Sequence, residues 1–226
     1  MKARTKEAQY EDCLRAAEET GVDSLGVMTN QVWRDDPRRL AITLSRYKFV
    51  AKMLSGKQSA VEVGCGDGFG GRIVQQEVGE LTLLDIDPVF IADIERRMHP
   101  HWPLKAAVHD MLQGPYPERF EAAYSLDVLE HIPASEERRF LANIAASLTD
   151  DGVLIVGMPS LNSQAYASPQ SKAGHINCKH APDLKALLQN FFANVFVFSM
   201  NDEVVHTGYW PMAHYCLALC CGKIAG

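Results

Sequence analysis

The most restrictive feature of this chain is one segment, Val61-Glu62-Val63-Gly64-Cys65-Gly66-Asp67-Gly68-Phe69-Gly70-Gly71. A short β-prone run stops abruptly, and five of the eight positions 64–71 are glycine. An amphipathic stretch with helical spacing then follows, near 69–78. Glycine has no Cβ, so the backbone can turn through positive φ and a ligand can press against it. Strand, glycine turn and helix in that order form a cradle for a phosphate- or nucleotide-like ligand. The embedded Gly66-x-Gly68-x-x-Gly71 spacing does not by itself choose among such ligands.

The texture around this segment fixes the fold class. After Gly56, β-rich runs at 60–63, 81–84, 104–108, 122–126, 153–158, 195–198 and 215–221 alternate with helix-length stretches near 69–78, 88–98, 134–148 and 182–191. Such alternation means βαβ units around a mainly parallel sheet. The last two runs have no helix between them and should pair antiparallel at the sheet edge. The expected fold is α/β: a doubly wound, seven-stranded, mainly parallel sheet with an antiparallel last strand, plus an N-terminal helical extension. The extension is assigned to 1–55 and the ligand-binding domain to 56–226. Within the extension, 5–20 reads as a charged helix, followed by a loop containing Gly21, Gly26 and Asn30. Leu40, Leu44, Tyr47, Ala51 and Leu54 then mark one face of a helix entered through Pro37, with Asp36 or Asp35 as its cap. Positions 159–180 carry no periodic pattern, and an unpatterned stretch of that length in a compact domain is usually functional or mobile.

Composition narrows the partners. The 226 residues are 47% hydrophobic and 22% charged, the balance of a folded core, and their formal net charge is −6. A negative chain without a dense basic run is poorly suited to neutralising phosphates, so a nucleic-acid partner is not expected. The pairs Arg38-Arg39, Arg96-Arg97 and Arg138-Arg139 read as solvated helix faces. No apolar segment is long enough to span a bilayer, and the first twenty residues lack the apolar core of a signal peptide. The six cysteines show neither a CxxC pair nor metal-ligand spacing, and they read as reduced thiols of a cytoplasmic protein.

About twenty residues beyond the glycine turn stands Leu83-Leu84-Asp85-Ile86-Asp87-Pro88. An acid at the end of the second strand can accept hydrogen bonds from both hydroxyls of a ribose, while Asp87, before Pro88, suits a helix cap. NAD and S-adenosylmethionine (SAM) both carry that ribose. Three further features separate them: Glu62 two residues before Gly64, His109-Asp110-Met111 after the third strand, and Tyr124-Ser125-Leu126-Asp127-Val128-Leu129-Glu130-His131-Ile132-Pro133 at the fourth. Together, residues 58–160 resemble class I SAM-dependent methyltransferases, whose first motif is E/D-x-G-x-G-x-G. A short-chain dehydrogenase would need Tyr-x-x-x-Lys, and none of the seven tyrosines has Lys four residues later.

The resemblance implies SAM as cofactor, with Glu62, Gly64, Cys65 and Gly66 at its methionine end. It also implies Asp85 on the ribose, Ile86 and Met111 against the adenine, Asp110 on the adenine amino group, and Ser125 on the pocket floor. In open α/β sheets the site gathers at the carboxyl ends of the strands. The segments there are 127–133, 159–180 and 201–211, contributing His131, His175, His180 and His206, with His214 just beyond. His131 and His175 are the candidate general bases. Asp127-x-x-Glu130-His131 also resembles the metal-coordinating segment of ubiquinone-pathway O-methyltransferases, where carboxylates suit a hard cation such as Mg²⁺. The same Leu-Glu-His run occurs in metal-free relatives, where it stabilises the loop, and no metal ligands are assigned from it. The extension is a candidate lid, with Arg46, Tyr47 or Lys48 able to reach the methionine carboxylate. The expected activity is methyl transfer to oxygen or nitrogen of a small polar acceptor, of sugar or natural-product type. A non-catalytic SAM-binding protein and an NAD-dependent oxidoreductase are the alternatives.

Overall fold

Successive residues of the central strands are apolar toward both faces, a pattern that requires a sheet covered on both sides. The computed structural model, which describes residues 4–224, provides that cover. The extension contains α1 (Glu11–Thr20), α2 (Val27–Asp35) and α3 (Pro37–Met53). Then come β1 (Ser59–Val63), α4 (Gly71–Gln75), β2 (Glu80–Asp85), α5 (Pro88–Arg97), β3 (Lys105–Val108) and β4 (Phe120–Leu126). The second half runs α6 (Glu137–Ala146), β5 (Leu148–Pro159), α7 (Pro169–Gly174), α8 (Ala181–Leu188), β6 (Phe192–Asn201), β7 (Val204–His206) and β8 (Tyr215–Lys223).

The strand order is β3-β2-β1-β4-β5-β8-β6-β7. Pairing is parallel from β3 through β5, and β8 runs antiparallel to both β5 and β6. The doubly wound, mainly parallel sheet with a reversed end is therefore present. It has eight strands rather than the seven expected, because the turn after β6 folds back as β7 and pairs Val204 with Asn201 and His206 with Ser199. The strand order reverses between β1 and β4, which opens a crevice at their carboxyl ends.

Alternation distributes the core over two layers. Val61, Val63, Ala123, Leu154, Val156 and Met158 face α6 and α8, where Phe140, Leu141, Ile144, Leu184 and Leu188 meet them. Ala60, Leu83, Tyr124, Leu126, Ile155 and Leu217 face the other way, onto Val50 and Leu54 of α3, Val74 of α4, and Ile91 and Ile94 of α5. Two local expectations change. Positions 27–35 form α2, where a loop was expected, because its N-terminal N–H groups are capped by carboxylates distant in sequence. The 159–180 stretch is ordered as a 3-10 segment (Leu161–Tyr166) and α7, each started by a serine: Ser160 Oγ accepts from Asn162 N–H and Ser168 Oγ from Ser171 N–H. Arg97 also departs from the solvated-face reading, being largely buried and paired with Asp93 at 2.9 Å.

A buried carboxyl joins α3 to the sheet. Glu62, on β1 and only 1% exposed, accepts hydrogen bonds from Tyr47 Oη of α3 at 2.8 Å and Tyr124 Oη of β4 at 2.9 Å. Burial is the main cause that pushes its pKa up from 4.5 to about 8, against the lowering by the two tyrosine hydroxyls. Between those two values the folded chain holds a proton that the unfolded chain has released. Stability therefore falls as pH rises through that window, by up to about 1.4 kcal/mol per pH unit for one proton. Thermal midpoints measured from pH 5 to pH 8 should decline, and Glu62→Gln, which cannot ionise, should remove that part of the slope.

Candidate active site

The glycine turn is held by the end of the neighbouring strand. The Leu84 carbonyl accepts from Gly64 N–H at 2.8 Å and from Cys65 N–H at 3.0 Å. Asp85 accepts from Gly66 N–H at 2.8 Å through Oδ2 and from Asp87 N–H at 2.9 Å through Oδ1. A carboxylate has about four lone-pair positions, so Asp85 keeps capacity for further donors. Gly64 and Gly66 have φ of +77° and +52°, and a Cβ on Gly64 would stand 2.3 Å from Val128 Cγ2. Here glycine is required by both conformation and space. Asp87 caps α5 through Val89 N–H at 2.9 Å, so Asp85 is free of that duty.

The extension is docked onto this turn by charge. Asp67, buried within the glycine segment, accepts from Thr29 N–H at 2.7 Å and Thr29 Oγ1 at 3.1 Å. Asp93 of α5 accepts from Val27 N–H at 3.3 Å. The N-cap of α2 is Gly26, which has no side chain to offer, so two carboxylates from the domain satisfy its first turn and its dipole. Arg97 completes the joint by donating to the Asp67 carbonyl as well as to Asp93.

Between the extension and the carboxyl ends of β1, β4 and β5 lies a cavity of about 510 Å³. Gly64, Cys65 and Gly66 line one side, residues of α2 and α3 form the roof, and Asp127, Glu130, His131, His175 and His214 line the far end. Arg46 reaches in from α3 and grips Asp127 through both carboxylate oxygens, at 2.9 and 2.7 Å, with its guanidinium 3.7 Å from the centre of the Tyr215 ring. Asp127 adopts φ of +57°, an uncommon conformation for a residue with a Cβ. Glu130 is fully buried, and neither carboxylate oxygen has a hydrogen-bond partner among the described residues. Burial, reinforced by the Asp127 charge, drives its pKa upward. His131 Nδ1 lies 2.9 Å from the Gly174 carbonyl and His175 Nδ1 lies 3.0 Å from Gln164 Oε1. The two rings meet edge to face at 5.2 Å. Burial and the neighbouring His131 hold His175 below the usual histidine range, and burial with Arg46 does the same for His214.

The residues singled out from sequence separate into three groups. Gly64, Cys65, Gly66, His131 and His175 line the cavity. Asp85, Ile86 and Asp110 lie outside it at the ends of β2 and β3, with Ile86 63% exposed. Glu62, Met111 and Ser125 are packed inside the protein and do not line the cavity: Glu62 holds two tyrosines, Met111 joins the core, and Ser125 Oγ donates to the Val63 carbonyl at 2.9 Å. His206 is turned onto Asn201 at 2.9 Å and Asn177 onto Glu137 at 2.7 Å. His180 stacks by Trp210 at 5.7 Å, and none of these polar groups lines the cavity. Sequence reasoning missed Asp67 and the cross-chain Arg46–Asp127 pair, which are separated by 38 and 81 residues from their partners.

Comparison with known proteins agrees with this geometry. Residues 60–152 match the family model described as a methyltransferase domain. No curated protein sequence matches the chain. Among solved structures, a SAM-dependent methyltransferase described as a possible histamine N-methyltransferase of Thermotoga maritima aligns with TM-score 0.67 at 15% identity, over 86% of this chain and 96% of the other. The N-methyltransferase NodS of Bradyrhizobium japonicum, in complex with S-adenosyl-L-homocysteine, aligns with TM-score 0.60 at 20% identity, over 84% and 91%. A TehB-like SAM-dependent methyltransferase of Corynebacterium glutamicum gives 0.60 at 18%, over 85% and 97%. Likeness at these identities establishes the fold, a Rossmann-like α/β sheet with its site at the strand ends. The domain match covers residues 60–152, the stretch that contains the glycine turn and the segment after β4, and there the chain is similar to the methyltransferase domain of SAM-dependent enzymes.

Removing the distant cap should loosen the roof without dismantling the sheet. Asp67→Ala should cost about 1–2 kcal/mol, the usual worth of an N-cap, and lower the thermal midpoint by a few degrees. Hydrogen exchange in positions 27–35 should accelerate far more than in β1 or β4.

Proposed function

We propose that the chain methylates an oxygen or nitrogen of a small polar acceptor, of the sugar or natural-product type, held at the histidine end of the cavity. The observation that carries this reading is the cavity itself. Its volume of about 510 Å³ falls in the range of small-molecule sites, and α2 and α3 roof it. NodS, one of the structural neighbours, is an N-methyltransferase, which supports an amine among the acceptors to be tried.

Gly64, Cys65 and Gly66 would hold the methionine end of SAM by close backbone approach. Asp85 would accept from the ribose hydroxyls with its remaining lone pairs, and Ile86 and Asp110 would receive the adenine. SAM supplies a methyl group on a sulfonium, already activated for displacement. What remains for the protein is to align a nucleophile, exclude water and remove the acceptor's proton. His131 Nδ1 faces the Gly174 carbonyl, so Nε2 is the ring nitrogen left to meet an acceptor. Burial and the neighbouring His131 hold His175 below the usual histidine range, which favours its neutral form. Both suit proton removal from a hydroxyl or an ammonium. The Arg46–Asp127 pair leaves Arg46 committed, so it braces the roof instead of reaching a cofactor carboxylate.

Thermal unfolding with excess SAM or S-adenosylhomocysteine should raise the midpoint by about 5–10 °C. Asp85→Ala should weaken SAM binding at least tenfold in a direct titration. S-adenosylhomocysteine release should then be followed over small amines, phenols and sugars, with a peptide and an RNA as contrasts. Turnover confined to small acceptors supports the proposal. Turnover on peptide or RNA alone would replace the acceptor class, and a SAM shift without turnover on any of them would favour the non-catalytic reading.

A further inference from the structure

We infer that Glu130, His131 and His175 form a site for a divalent transition-metal cation at the far end of the cavity. The Asp-x-x-Glu-His pattern of the sequence points to a different set, Asp127, Glu130 and His131, and to a hard cation. In the structure both Asp127 oxygens are taken by Arg46. His175, just past the end of α7 and 48 positions beyond Asp127, completes the set instead.

Three observations converge. One ligand atom from each of Glu130, His131 and His175 lies within 4.8 Å of the other two. Around a tetrahedral ion with bonds of about 2.1 Å, neighbouring ligands stand about 3.4 Å apart, so closure needs movements of about an ångström. His131 is exposed and His175 half-buried, and both have room to make them. The second observation is Glu130 itself. It is fully buried, lines the cavity and leaves both carboxylate oxygens without a hydrogen-bond partner among the described residues. An unpartnered buried carboxyl is costly, and the nearby Arg46 guanidinium is committed to Asp127 and gives Glu130 no hydrogen bond, so its oxygens remain available to a bound cation. The third is how the imidazoles are held. The Gly174 carbonyl can only accept, so His131 Nδ1 carries the proton. His175 Nδ1 stands in the same relation to Gln164 Oε1. In their neutral form both rings would then keep Nε2 for a ligand, the arrangement by which backbone and side-chain carbonyls orient metal-ligating histidines.

Two imidazole nitrogens with one carboxylate suit Zn²⁺, Mn²⁺, Fe²⁺ or Co²⁺, whereas Mg²⁺ and Ca²⁺ prefer oxygen throughout. Three protein ligands leave coordination positions open toward the cavity. Resting on the acceptor site proposed above, those positions would take a hydroxyl acceptor and ease the loss of its proton to solvent, in place of direct proton removal by His131 and His175, whose Nε2 lone pairs the ion would occupy.

The test uses the full chain stripped by a chelator, dialysed against Zn²⁺, Co²⁺ or Mg²⁺ and analysed for bound metal. One equivalent of Zn²⁺ or Co²⁺ is expected, with ligand-field absorption from Co²⁺ and a midpoint rise of about 5–10 °C at a hundredfold excess over Kd. Glu130→Gln and, as the less buried control, His175→Gln should each weaken Zn²⁺ binding at least tenfold while keeping the SAM-induced shift. No stoichiometric metal, Zn²⁺ affinity unchanged in His175→Gln, or Mg²⁺ bound as tightly as Zn²⁺ would each overturn the inference. Metal-free protein that still binds SAM and turns over at full rate would remove the cation and leave the methyl-transfer reading standing. Loss of the SAM shift in unmodified protein would instead remove that reading.

Discussion

Everything at the working edge of this protein depends on the backbone turn that ends β1. Gly64 and Gly66 run through positive φ, and their N–H groups are taken by the Leu84 carbonyl and the Asp85 carboxylate of β2. A side chain at Gly64 would collide with Val128, so the turn also sets how closely the segment after β4 can approach. That segment carries Asp127, Glu130 and His131. One pair of left-handed glycines thus brings the turn after β1 and the histidine end of the cavity together.

The second dependence is electrostatic. Asp67 sits inside the glycine segment, where it accepts from Phe69 N–H and, together with Asp93, caps α2. On the next helix, Tyr47 is anchored on buried Glu62 and Arg46 on Asp127. The roof is therefore fastened to four acidic side chains of the domain beneath it, each partly or wholly shielded from water, where such contacts are stronger than at a surface. The same dependence explains why three acids near the ends of β1, β2 and β4 have different duties. Glu62 holds tyrosines, Asp85 holds the turn with lone pairs to spare, and Glu130 holds nothing.

Among the described residues, no helix is long and apolar enough to cross a membrane. Aliphatic residues such as Leu40, Ile42 and Leu44 line the α3 side of the cavity alongside Arg39, Thr43 and Arg46.

The sequence by itself determined the order of elements, the parallel sheet, the reversed end strand and the placement of Gly64, Gly66, Asp85 and Asp110 at strand ends. These follow from periodicity and from glycine and proline chemistry, which act over a few residues and can be read locally. It also marked His131 and His175 as residues of strand-end loops. Tertiary structure alone decided which polar groups meet. It formed α2, whose caps come from Asp67 and Asp93, 38 and 66 residues from the groups they bind. It turned Glu62, Met111 and Ser125 into the interior, where the family-like motif had suggested cofactor contacts. It gave Asp127 to Arg46 and set His175 beside His131. The physical reason is that a hydrogen bond or ion pair depends on distance and shielding between groups, and sequence spacing encodes neither once the chain has crossed the sheet.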